Sequence, residues 1–241
     1  MTILVVGASG ATGRLVVEQL LNRGERVKVI VRSAEKLAKF LDHVNLKVIK
    51  ANVLELSDED IQGYVKDCKA VISCLGHNIS LKGIYGHPRR LVTESIRRLC
   101  KAIEVCQPKE PVRLILMNTI GNRNRDINEP VSFAQKVIVA LLRVMLPPHV
   151  DNEKAADYLR IYIGNNNQSI EWAAIRPDTL IDEDKVSDYE VYASPTRSGI
   201  FNAGKTSRIN VAHFMTELVT DKRLWIKWKG QMPVIYNNDQ K

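Results

Sequence analysis

Apolar and polar positions along this chain fall into two alternating kinds of block. Short, almost wholly apolar runs recur at 3–6, 27–31, 46–51, 70–74, 112–117 and 169–175. Runs this short with no polar face predict strands covered on both sides. Between them lie stretches of helical period at 11–22, 34–41, 58–65 and 89–106. In the first, Leu15, Val16 and Leu20 return about once a turn, and Gly24 follows as a C-terminal cap. In the last, Leu91, Ile96, Leu99 and Ile103 form the buried side. Strands alternating with helices predict an α/β fold, a doubly wound parallel sheet.

Between the fifth and sixth strands the pattern gives an apolar helix at 136–146, interrupted by Arg143, and a second helix at 152–163, with Pro147 and Pro148 as punctuation. The first is expected to pack in the core, the ordinary outcome for so apolar a helix; capping a substrate pocket, joining a homodimer interface and resting on a membrane surface are its other uses. After Ile175 the pattern loosens. Arg176 and Pro177 end the strand, an acidic loop covers 178–188, a short strand starts near Val191, a helix covers 211–220 and a last apolar run stands at 234–236. One domain over 1–241 is expected, with a small substrate lid built from 122–150 and 178–210.

Composition narrows the class. The chain has 241 residues, 45% apolar and 26% charged, which excludes disorder, and its 13 Gly and 9 Pro show no period that would suggest a fibrous repeat. The longest apolar run, 137–142, is far short of the roughly 18 residues a membrane span needs. Lys plus Arg exceed Asp plus Glu by 35 − 27 = +8, which suits an anionic partner such as a phosphorylated small molecule, and equally a solvated basic surface. The arginines at 89–90, 97–98, 123 and 125 come without aromatic stacking residues or a reading helix, so direct nucleic-acid binding is not expected. Cys68, Cys74, Cys100 and Cys106 match no zinc-ligand spacing, so no metal is expected. The opening MTILVVGASG lacks a basic n-region, and a reducing, cytoplasmic setting with four free thiols is expected.

The chemistry begins where the first strand ends. Gly7, Gly10 and Gly13 form G-x-x-G-x-x-G at the mouth of the first helix, where glycines permit a sharp turn, close approach to a pyrophosphate and tight helix-on-strand packing. At the end of the second strand a carboxylate would accept from a free ribose hydroxyl. Here stand Arg32 and Ser33, with Arg14 and Lys36 near in sequence, and a guanidinium can grip a 2′-phosphate through two parallel hydrogen bonds. NADP is the expected cofactor.

With the GASGATGR opening, the Arg32-Ser33 pair and the IRPDTL segment at 175–180, the chain resembles the atypical short-chain dehydrogenase/reductases with NmrA-like or flavin-reductase-like NAD(P)-binding Rossmann folds, over nearly its whole length. The resemblance implies that Gly7, Ala8, Ser9, Gly10, Ala11, Thr12, Gly13 and Arg14 bind pyrophosphate and that Arg32 with Ser33 holds the 2′-phosphate. Asn52 and Val53 would flank the adenine, where most relatives have Asp in place of Asn52. Leu75, Gly76, His77, Asn118 and Thr119 would line the ribose and nicotinamide. The Tyr-x-x-x-Lys of ordinary reductases is broken: Lys154 matches the lysine, but Val150 stands four residues earlier. Lys154 is expected to hold the nicotinamide ribose, with His149, Tyr158 or water supplying a proton, and His77 is a further candidate beyond a central strand.

Two functions fit. One is an NADPH-dependent reductase passing hydride to a small flat acceptor, a quinone, flavin or conjugated carbonyl, which tolerates a proton from solvent. The alternative is a non-catalytic NADP(H)-binding regulator that senses redox state and acts through a protein partner.

Overall fold

The computed structural model describes residues 1–77, 80 and 84–238. Among them the strands are β1 (Thr2–Val6), β2 (Arg26–Val31), β3 (Leu46–Lys50), β4 (Cys68–Ser73), β5 (Val112–Met117), β6 (Ile170–Pro177), β7 (Thr179–Ile181), β8 (Tyr189–Tyr192), β9 (Lys205–Ser207) and β10 (Val234–Asn237). Eight of these form one sheet in the order β3-β2-β1-β4-β5-β6-β10-β8; β7 and β9 pair separately. All pairs in the large sheet are parallel except β10 with β8 at the edge. From β1 the chain winds outward to β3 and then crosses back to β4 on the other side. The order thus reverses beside β1, and parallel sheets bind ligands in the crevice such a reversal opens at the carboxyl ends of the strands.

Period-two alternation sorts β1 between two cores. Ile3 and Val5 face α1 (Ala11–Asn22), while Leu4 and Val6 face α2 (Asp58–Val65) and α3 (Leu91–Cys106). The second core also takes Ala155, Ala156 and Leu159, from α5 (Pro147–Asp157) and the π-helical turn that continues it, Tyr158–Ile163. The first core is completed by α6 (Arg208–Thr220) and α7 (Lys222–Trp228) from the far end of the chain. Gln19 donates 3.1 Å to the Ile209 carbonyl, and Arg23 pairs with Glu217, so α1 and α6 are tied along their length. Each fully buried Leu or Ile contributes about 1.5–3 kcal/mol.

Several expectations change. The stretch at 34–41 is a 3-10 helix, Glu35–Phe40, that buries only Leu37 and Phe40. The helix expected from 152 starts five residues earlier because Pro147 and Pro148 open it, where a missing N–H costs nothing. The loop at 178–188 begins with β7. The apolar helix, α4 (Phe133–Met145), has no buried residue and is therefore not a core helix.

Segment 122–150 is fastened to the sheet by one ion pair. Arg176, at the end of β6 and fully buried, grips the Glu129 carboxylate with both terminal nitrogens at 2.6 and 3.1 Å and also donates to the Met232 and Asn122 carbonyls. The Asn124 N–H donates to the same carboxylate. With this many donors satisfied the pair is held in place, whereas removing either partner would strand a buried charge.

Candidate functional site

The turn after β1 is built by glycine. Gly7 has φ +77°, and a Cβ there would lie 2.5 Å from the Cys74 backbone; a Cβ at Gly13 would lie 2.2 Å from the Gly7 carbonyl oxygen. These two glycines make the packing possible. Gly10 differs: it is exposed, it is the N-cap of α1, and no side chain caps that helix start. An uncapped helix N-terminus behind an open glycine is a ready anion site.

That turn floors a cleft of about 540 Å³ along the carboxyl ends of β1 to β4. Gly7, Ser9 and Gly10 line it, as do Arg32, Ser33, Asn52, Val53, Leu75 and Gly76. Ala8, Thr12 and Gly13 are buried behind the turn, and Ala11 and Arg14 are exposed beside it. At the β2 end Arg32 and Lys36 share the rim with one carboxylate, Glu35, whose N–H donates to Ser33 Oγ at 3.3 Å. Asn52 accepts from the Leu54 N–H and donates to Glu55. Beneath it, Arg98 donates to the Val53 and Leu56 carbonyls and pairs with Asp58. Part of the arginine-rich face of α3 thus props up the β3 end of the cleft.

After Gly76, a lining residue of the cleft, comes His77, whose Nε2 lies 2.8 Å from Asp151 Oδ2. Asp151 is buried and also accepts from the Val92 and Thr93 N–H groups and from Thr93 Oγ1, so it caps α3 from another helix. Burial pushes its pKa up, but these hydrogen bonds outweigh burial and hold the carboxyl below its ordinary value. Asn118, after β5, donates to the Asn152 carbonyl and accepts from the Thr119 N–H, which binds the strand end to the same helix.

A second cavity of about 730 Å³ begins at Ile120 and Gly121, on the extension of β5. Its wall joins the two segments flanking β6: Arg123, Ser132, Lys136 and Arg143 from one, Thr196 and Arg197 from the other. His149 stands against Gly121, with Nε2 3.5 Å from Glu153 Oε1. Glu153 also takes a forked contact from Arg143, and the pull of His149 and Arg143 overcomes burial to set its pKa at about 2. Lys154 is exposed on α5, three residues past Asp151, and lines neither cavity. Tyr158 also lies outside both; its ring stacks on Tyr162 and under Arg97, and burial raises its pKa. Sequence reasoning missed Asp151 and Glu153, because neither belongs to a motif and both act through contacts with other helices.

The four cysteines are free, and burial pushes the Cys68 thiol up to about 11 and Cys74 to about 12. Among the described residues no helix alone is long and apolar enough to cross a membrane.

A family profile described as NAD(P)H-binding matches residues 7–222. An uncharacterized chloroplastic protein of Arabidopsis thaliana is 41% identical over 75 residues, which is 31% of this chain and only 27% of that protein. Among solved structures, an anaerobilin reductase from Escherichia coli O157:H7 superimposes with a TM-score of 0.69 at 18% identity, over 100% of this chain and 99% of its own. A short-chain dehydrogenase/reductase from Veillonella parvula, solved in complex with NADP, gives 0.69 at 14% identity, over 99% and 95%. At those identities the likeness is one of fold.

Proposed function

The chain belongs to the NAD(P)H-binding family, and from that premise we propose that it is an NADPH-dependent reductase passing hydride to a small flat acceptor, a quinone, flavin or conjugated carbonyl. One observation carries the reading: two concave spaces open at neighbouring strand ends, the cleft after β1 to β4 and the cavity after β5. A nicotinamide lying past Gly76 would face an acceptor in the second space.

The preference for NADPH rests on the β2 end, where Arg32, Ser33 and Lys36 outweigh the lone Glu35 around a 2′-phosphate. The structure of the Veillonella relative with NADP is in keeping with this.

When bound, the cofactor supplies hydride. The residues then have three tasks. The turn at Gly10 and the start of α1 hold the pyrophosphate. His77, steadied by ionised Asp151, delivers the proton that accompanies hydride, so the acceptor gains one hydride and one proton. His149, behind Gly121, holds Glu153 on the wall of the second cavity, where the carboxylate orients the acceptor.

The test is NADPH oxidation by purified protein, followed at the nicotinamide absorbance with quinones, flavins and conjugated carbonyls. Turnover with one of these classes supports the reading. Tight NADPH binding without oxidation by any of them overturns it and favours the redox-sensing regulator.

A further inference from the structure

We propose that α4 is a docking surface for an anionic lipid bilayer. The helix has 13 residues and none is buried. Phe133, Val137, Leu141 and Val144, spaced four, four and three apart, form one face that is 82%, 44%, 56% and 83% exposed; Met145 adds to its end at 60%. A continuous exposed apolar stripe on a protein surface marks an interaction site. The other side of the helix is occupied: Gln135, Val139 and Arg143 wall the second cavity, and Gln135 Oε1 accepts from Ser198 Oγ at 3.2 Å. The stripe is therefore an outer face on a helix whose inner face already has a role.

Charge selects the occupant. From 130 to 150 the chain contains no Asp or Glu, and of its two basic residues Arg143 is held by Glu153 on the inner side while Lys136 supplies the charge of the flank. Lys136 is exposed beside the stripe, and Arg123, also exposed, lines the same cavity wall. The whole chain carries +8. A second copy would set like charge against like, whereas anionic headgroups complement the flank while acyl chains take up the stripe. Length excludes a crossing: thirteen residues rise only about 20 Å, and the next helix leaves at 105°. The helix lies in the interface, parallel to the surface.

Flotation of the full chain with vesicles of phosphatidylcholine, with and without phosphatidylglycerol, tests this. Binding to the anionic vesicles is expected, and Val144→Glu should lower it about tenfold or more, since it removes an apolar contact and adds a repelled charge. Val44→Glu makes the same charge change at a site 95% exposed outside α4 and should leave binding within about twofold. Phe133→Ser is the second variant, and unchanged NADPH affinity and melting temperature show that the fold is intact. The proposal fails if wild type does not float, or if both α4 variants bind as wild type does, which would mean a diffuse basic surface. It also fails if light scattering shows a dimer that Val144→Glu dissociates, because the stripe would then be an interface between copies.

Discussion

His77 and Asp151, 74 positions apart in sequence, meet at 2.8 Å where the cleft after β4 gives way to α5. The same carboxylate holds the first turn of α3, so the ring is fixed to a helix start and not to a mobile side chain. Asp151 thereby joins the stability of the fold to the proposed proton delivery.

His77→Gln should lower kcat by about 10²- to 10⁴-fold with little change in NADPH affinity, since the ring is assigned to proton transfer. Asp151→Asn should lower both kcat and the melting temperature, because it disturbs the cap of α3 as well. Steady-state kinetics with calorimetry separates the two. Full activity in His77→Gln would return proton delivery to solvent.

Arg32→Asp should weaken NADPH binding by roughly tenfold or more and reverse the preference toward NADH, through loss of a charge-assisted contact and gain of repulsion. Calorimetry with both cofactors measures it, and equal wild-type affinities would remove the basis for NADPH.

Gly10→Leu should abolish binding of either cofactor while the fold survives. Its Cβ has one tight neighbour, the Gly7 carbonyl oxygen at 3.2 Å, and otherwise points into the cleft. Gly13→Val should instead fail to fold, since its Cβ would fall 2.2 Å from the same oxygen. Thermal melts with cofactor titration distinguish a blocked cleft from a broken turn.

Lys154→Ala should leave NADPH affinity within about twofold, because the side chain is exposed on α5 and lines neither cavity. Tyr158→Phe should leave kcat within about twofold, because the phenol lies outside both cavities under Arg97. Loss of turnover in Tyr158→Phe with cofactor affinity intact would make the phenol the acid.

Glu153 titrates at about 2 in the folded chain against an ordinary 4.5. A lowered folded pKa means that its contribution is fully present above 4.5 and is lost as pH falls through 2. Asp151 shifts in the same direction. Melting temperature should therefore fall over this window, and Glu153→Gln should flatten the fall while lowering stability near neutrality.

Local signals read the sheet well because parallel strands carry their burial in their composition. The bounds of α1, α2 and β5 follow from periodicity, Gly24 and the turn residues. The glycine turn and Arg32 were legible for the same reason: their chemistry needs particular residues at fixed spacing. What composition cannot show is which neighbour an apolar or charged residue meets. The apolar sequence of α4 reads as core, yet its stripe faces outward. Asp151 looks like an ordinary helix residue and caps a helix nearly sixty positions away. The seven residues of α7, with three lysines or arginines among two tryptophans, carry no clear period, although Trp225 and Trp228 are buried.

The contact between α1 and α6 has a consequence for how the chain comes to life on a ribosome. The helix that bears the glycine turn packs on β1 and β2 but is also covered by residues 208–220, so part of its apolar side stays open to water until those residues have been made. A nascent chain stopped near 200 would hold every residue of the dinucleotide cleft and still lack the support that keeps the turn in shape. Cofactor capture is therefore expected only after α6 has been made, and a protease cut ahead of α6 is expected to weaken dinucleotide binding without touching a residue that binds it.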